Sequence, residues 1–130
     1  HEHVYARWAD RDKDGKPTTP LFVTSYCSPK NYQLNLNREE DRIGTDDRFF
    51  LRINASNDSL TIQTITTSNY QPYDKVTITK QNGEATIKDY YKNVPEKVEV
   101  SDWYRKSKTA SKVKAYEQEV NEWKKNHHHQ

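Results

Sequence analysis

The sequence predicts a mainly β, α+β domain: an antiparallel sheet, small barrel or sandwich of seven to eight strands, followed by one C-terminal amphipathic helix. Three observations carry that expectation. Between Val4 and about Val100 the apolar residues recur at period two, in short runs separated by turn residues, which is the alternation of a half-buried strand. Within that region Asn82-Gly83 separates two alternating runs in "KVTITKQNGEATIKDYY", and this pair supplies the two positive-φ positions of a type I′ hairpin turn. After Ser101 the period changes. Val113, Tyr116, Val120 and Trp123 stand three, four and three residues apart, so they share one face of a helix.

Taken in order, "VYARW" and "LFVTSYC" flank the turn-rich "ADRDKDGKPTTP" as the first two strands, and "YQLNLN" follows as the third. "REEDRIGTDD" is too charged to be buried and is expected as a solvated loop. In "RFFLRIN", Phe49, Leu51 and Ile53 fall on one face while Phe50 and Arg52 fall on the other. The threonines and isoleucines of "SLTIQTITT" suit a half-buried pleated surface. The hairpin comes next, with Val76, Ile78, Ala85 and Ile87 expected to face one core, and "EKVEV" is the last strand, alternating Val98 and Val100 with Lys97 and Glu99. The helix is expected over about residues 109–125, capped by Thr109 or Ser111, its apolar stripe covering the hairpin core with Trp123 buried. A mobile histidine-bearing tail is expected over 126–130, and with no fixed-period repeat and no linker, 1–130 reads as one domain.

Composition narrows the function classes. Only 32% of residues are hydrophobic and 31% are charged, so nine tyrosines, three tryptophans and three phenylalanines must supply much of the core. Basic and acidic residues nearly cancel, 21 against 19, which gives no general attraction to nucleic acid or anionic membrane. No apolar run approaches the roughly 18 residues of a membrane span, so the chain is expected to be soluble. Methionine is absent even at position 1, which suggests trimming such as removal of a secretory signal, and hence a secreted or periplasmic location. "NAS" at Asn54 and "NDS" at Asn57 match glycosylation acceptors, or are simply polar turns.

Catalytic chemistry finds little support. The single Cys27 needs a base to become a nucleophile, yet every histidine lies at a chain end: His1, His3, His127, His128 and His129. Cys27 closes an apolar run and is expected to be a small buried hydrophobe. Carboxylates are plentiful, but none stands in an apolar context that would prepare it for acid catalysis. Three scattered glycines, Gly15, Gly44 and Gly83, form no phosphate-binding loop.

Two metal readings remain. "DRDKDG" places Asp10, Asp12 and Asp14 at alternate positions before Gly15, which resembles the first half of an EF-hand calcium loop. Its twelfth position is Leu21 where a bidentate glutamate belongs, and Pro17 and Pro20 oppose the following helix, so a solvated hairpin turn is the competing reading. At the start, a free amine on His1, two backbone nitrogens and the His3 imidazole would form a square-planar set suited to Cu(II) or Ni(II).

A basic run, Arg105, Lys106, Lys108, Lys112 and Lys114, lies near Tyr90, Tyr91, Trp103 and Tyr104. "EQEVNE" follows at once, so an ordinary helix surface is favoured over nucleic-acid binding. The sequence reads best as an exported macromolecule-binding module of inhibitor, immunity or adhesion type, without catalytic activity and with no required cofactor. Its expected contact residues are Arg42, Asp46, Asp47, Tyr90, Tyr91, Trp103 and Tyr104. The alternatives are a terminal-histidine Cu/Ni-binding accessory protein, using His1 and His3, and a small carboxylate-dependent hydrolase.

Overall fold

The computed structural model describes residues 2–127, so the expectations placed on His1 and on residues 128–130 lie outside the described residues. Strands β1 (Tyr5–Arg11), β2 (Pro17–Thr24) and β3 (Arg42–Gly44) form sheet A in the order β2-β1-β3. Strands β4 (Phe49–Ala55), β5 (Ser59–Thr66), β6 (Pro72–Gln81) and β7 (Glu84–Asp89) form sheet B as a meander. All pairings are antiparallel. Helices α1 (Asp102–Ser107) and α2 (Ala110–Asn126) follow. Among the described residues the fold is therefore α+β and mainly β, with seven strands in two open sheets and no closed barrel.

Local chemistry accounts for the turns. Asn82 and Gly83 adopt φ of 53° and 79°, as the type I′ turn requires. In the β1–β2 turn the Asp12 carboxylate accepts from Asp14 N (2.8 Å) and Lys16 N (2.9 Å), the loop geometry of a solvated aspartate turn. Thr109 caps α2 by accepting from Lys112 N at 3.4 Å. The single expected helix is in fact two, because Ser101 caps an earlier turn by accepting from Tyr104 N (3.1 Å) and starts α1.

Between the sheets lies a layer of charge. On β1, Tyr5, Arg7 and Ala9 face sheet B. Arg7, 2% exposed, donates from Nε and Nη2 to the two oxygens of Asp74, 1% exposed, at 2.6 and 3.1 Å. Nη2 also reaches Asp89 at 2.8 Å, while Tyr5 donates to Asp74 at 2.6 Å and accepts from Thr64 at 3.0 Å. Burial works against the Arg7 charge, but bonding to Asp74 and then Asp89 outweighs it and holds the guanidinium pKa above its ordinary value. Burial, reinforced by the Asp74 charge, pushes the Tyr5 phenol up as well.

The charged segment expected as a solvated loop is instead buried at its centre, as Arg42, Ile43, Gly44 and Thr45. Alternation explains this. Arg42 faces the polar layer and spends its guanidinium on the carbonyls of Tyr73, Val94, Tyr91 and Pro95 (2.7–3.3 Å). Gly44 lets the Phe49 and Tyr73 rings close on the backbone, where a Cβ would stand 2.9 and 3.0 Å from them.

The opposite face of sheet A carries the aliphatic core. Val4 and Ile43 meet Leu34, Val98, Val100, Tyr104, Tyr116 and Val120, with Val113 and Trp123 half-buried around them. Helix α2 therefore docks on this core and not on the hairpin, although Val76, Ile78, Ala85 and Ile87 do share one face of sheet B. "YQLNLN" and "EKVEV" alternate as expected, burying Leu34, Val98 and Val100, yet neither joins a ladder. Isolated bonds take the place of neighbouring strands: Tyr116 accepts from Leu34 N (3.0 Å) and Tyr73 from Lys97 N (2.7 Å), while Thr45 donates its N–H to Lys97 O (2.9 Å) and accepts at Oγ1 from Glu99 N (2.7 Å). No helix among the described residues is long and apolar enough to cross a membrane.

Three stability measurements check this account. Asp74→Ala leaves Arg7 and Arg42 without their shared carboxylate, and should cost about 3–5 kcal/mol in urea unfolding. Tyr116→Phe should cost about 1–3 kcal/mol by stranding the Leu34 N–H, whereas half-buried Trp123→Ala should cost about 1–2 kcal/mol, below the range for a fully buried tryptophan. A loss at Trp123 exceeding that at Asp74 would mean that the aliphatic layer, and not the charged one, governs stability.

Candidate functional site

Period two puts Trp8 on the helix-side face of β1, beyond the part of that face that α2 covers. Cross-strand pairing sets it opposite Phe22. The two rings stack at 5.5 Å and 27°, and remain 37% and 54% exposed. They lie in a groove of about 370 Å³ whose floor is Val4, just before β1, with Ala6 and Trp8 from β1 and Phe22 and Thr24 from β2. Ala6, between two larger residues, makes the floor concave. The wall is the segment from Leu34 to Glu40, which brings Asn35, Arg38, Glu39 and Glu40 to the rim, while Glu2 closes one end.

The wall is held at both ends. Leu34 N is bonded to Tyr116, and at the other end Asp41 accepts from Ala9 N at 2.8 Å and donates its own N–H to Arg7 O at 2.8 Å. Arg11 also pairs with Asp41. Trp8 is thus flanked by two residues tied to the wall. A second depression, of about 570 Å³, shares Trp8 and the segment Arg38–Glu40 and runs on past Glu96 to Trp123 and His127. Those last two rings stack at 4.3 Å and 10°. Burial, helped by Asp41 and opposed by Arg38, raises the Glu40 pKa. The groove's ionisable rim, Glu2, Arg38, Glu39 and Glu40, is predominantly acidic.

The expected contact residues do not form one cluster. Arg42 and Tyr104 are buried, Arg42 in the charged layer and Tyr104 against Tyr116 with its hydroxyl on Gln33 (3.0 Å). Tyr91 is half-buried with its ring under the Arg42 guanidinium. Asp47 accepts from Ser68 at 2.6 Å and faces Lys97 at 3.6 Å, and Asp46 beside it has its pKa raised mainly by burial. Trp103 packs on Tyr32 and Lys108. Tyr90 alone is well exposed, at 43%. Sequence reading passed over Trp8 and Phe22, although the alternation in "VYARW" and the hairpin it forms with "LFVTSYC" contain the pairing.

His3 is half-buried, with its ring on Tyr32 at 4.1 Å and 7° and its Nδ1 3.0 Å from the Lys30 carbonyl. Use of its Nδ1 by a metal would require that nitrogen to give up the Lys30 carbonyl. No group of three or more His, Cys, Asp or Glu that could hold a metal occurs among the described residues. Asn54 and Asn57 are exposed. The chain matches no protein family, no curated protein and no solved structure, so the functional reading rests on the geometry of the molecule itself.

Cys27 is a further correction, because it is exposed. Strand β2 ends at Thr24, and the chain is then tied to β4 by Ser25 donating to Phe49 O (2.8 Å) and Phe49 N donating to Tyr26 O (2.9 Å). Tyr26 takes the half-buried place against Phe49 and Cys27 turns to solvent. Native protein should therefore react with a thiol reagent as fast as a free cysteine peptide to within about tenfold, and Cys27→Ser should leave urea stability unchanged. Protection that lasts until unfolding would show Cys27 to be covered.

Proposed function

We propose that this protein is an exported macromolecule-binding module without catalytic activity, and that the groove over Trp8 and Phe22 receives an extended segment of a protein partner. One observation carries the reading: a stacked tryptophan–phenylalanine pair stands exposed on a concave sheet surface, with a polar rim fixed at both ends. Aromatic anchors in a concavity supply most of the energy of a protein contact, and a polar rim supplies register. Three glutamates against one arginine on that rim favour a segment that sets a basic residue beside an apolar one. An inhibitor, immunity or adhesion role is consistent with such a surface.

The test is selection of a displayed random-peptide library on the immobilised protein, followed by titration of the selected peptides by tryptophan fluorescence. Selected sequences should pair Lys or Arg with an aromatic or aliphatic residue. Trp8→Ala and Phe22→Ala should each weaken them by about tenfold or more, with thermal unfolding little changed in Phe22→Ala, whose side chain is more than half exposed, and only modestly lowered in Trp8→Ala, whose ring is partly covered. Peptides that bind Trp8→Ala as well as the parent would sink the proposal, and so would a library that yields none.

A further inference from the structure

A second surface, on the far side of the molecule, has a different chemistry. Alternate residues of sheet B face sheet A, among them Phe49, Thr64, Asp74 and Val76. The residues between them point away, and three successive cross-strand rows can be read from the pairing. The first row is Arg52, Gln63 and Lys75, with Tyr90 alongside through its N–H to Lys75 O (3.1 Å). Asn54, Thr61, Thr77 and Lys88 make up the second. Ser59, Thr79 and Thr86 form the third. None of these residues is buried.

These three rows contain three cations and no carboxylate, in a chain whose basic and acidic residues otherwise nearly cancel; the next pair on the same face, Gln81 and Glu84 at the hairpin end, brings the first carboxylate. Every other side chain in the three rows is a hydroxyl or an amide. Strand spacing sets these groups about 4.8 Å apart across the sheet and about 6.8 Å apart along it. The Tyr90 ring is already engaged, with Lys75 Nζ 4.5 Å and Lys88 Nζ 4.7 Å from its centroid. Base stacking, on which single-stranded nucleic acid relies, therefore lacks a free platform in these rows, and the adjoining row offers one exposed ring, Phe50, set against buried Ile65. Hydroxyls and amides that both donate and accept match the hydroxyls of sugars, and the cations match acidic groups along a chain.

From this charge pattern and hydroxyl lattice we infer that the outer face of sheet B binds an acidic polysaccharide, gripping its anionic groups with Arg52, Lys75 and Lys88 and its hydroxyls with the Thr, Asn and Gln rows. Sulfate and uronate are two sources of the same chemistry, distinguished by the probe. This surface is independent of the Trp8 groove.

The experiment is retention on immobilised heparin and on immobilised polygalacturonate, with dextran as a neutral control. The protein should bind at least one acidic matrix at physiological salt and not dextran. Arg52→Gln, Lys75→Gln and Lys88→Gln together should weaken binding by about tenfold or more. A charge-matched control, Lys106→Gln, Lys112→Gln and Lys114→Gln, should change it by less than about twofold. Thr86→Glu, which adds a carboxylate at an exposed position and removes no cation, should also weaken binding, and it serves if the triple variant fails to fold. Trp8→Ala should bind like the parent, which separates this surface from the groove. Equal loss in the charge-matched control would overturn the inference, as would failure to bind either acidic matrix. Displacement by an oligothymidylate at lower concentration than by the soluble glycans would assign the face to nucleic acid instead.

Discussion

The bidentate pair between Arg7 and Asp74 is the constraint on which the rest of the molecule depends. It joins the middle strand of sheet A to an inner strand of sheet B, and both partners are almost wholly removed from water. Two such charges are tolerated only if every remaining donor and acceptor is satisfied. That requirement recruits Tyr5, Thr64, Asp89 and Arg42, so a chain with few aliphatic residues still fills the space between its sheets. It also specifies register. A slip of β1 by one residue would turn Arg7 to the other face and leave buried Asp74 with only the more distant Arg42, 3.8 Å away, opposite it.

Committing one face of sheet A to ions leaves the other for oil. Val4, Ala6 and Ile43 point to that side, and the extended segments around Leu34 and Val98 close over it with α2. The cover is shorter than the strand. Trp8 lies one step further along β1 than the helix reaches, so it meets Phe22 across the hairpin and stays partly in solvent. The segment from Leu34 to Glu40 cannot collapse onto the pair, because its ends are fastened to Tyr116 and to β1. Packing of the core and shaping of the groove are in this sense one event, since the same segment does both.

Sheet B divides its faces differently. Toward sheet A it offers Phe49, Thr64, Asp74 and Val76, and away from it threonines, amides and basic residues with Tyr90. Period-two alternation makes this division visible in the sequence, but whether the outer face stays uncovered depends on where the helices go. They pack on sheet A, and so the hydroxyl rows remain accessible.

Much of the fold was legible in residue order because it rests on local chemistry. The Asn82-Gly83 turn, the β1–β2 hairpin, the stripe through Tyr116 and Val120 and the Thr109 cap each follow from neighbours within a few positions, where backbone preference and side-chain period suffice. Which residues are chemically available was legible only in part, since exposure is a property of what packs on top. Arg42 lies in a strongly charged stretch and would be expected in solvent, yet four carbonyls from distant segments surround it. Cys27 ends an apolar run but faces outward once Tyr26 takes the place against Phe49. The alternation of "YQLNLN" and "EKVEV" foretold their burial but not their bonding, because Tyr116, Tyr73 and Thr45, which serve their backbones, arrive from elsewhere in the chain. By itself the sequence determined strand and helix periods, turns and the faces that must be buried. The tertiary structure alone decided which buried face meets which and what stays in water, because long-range partners compete for each surface and their outcome cannot be read from local spacing.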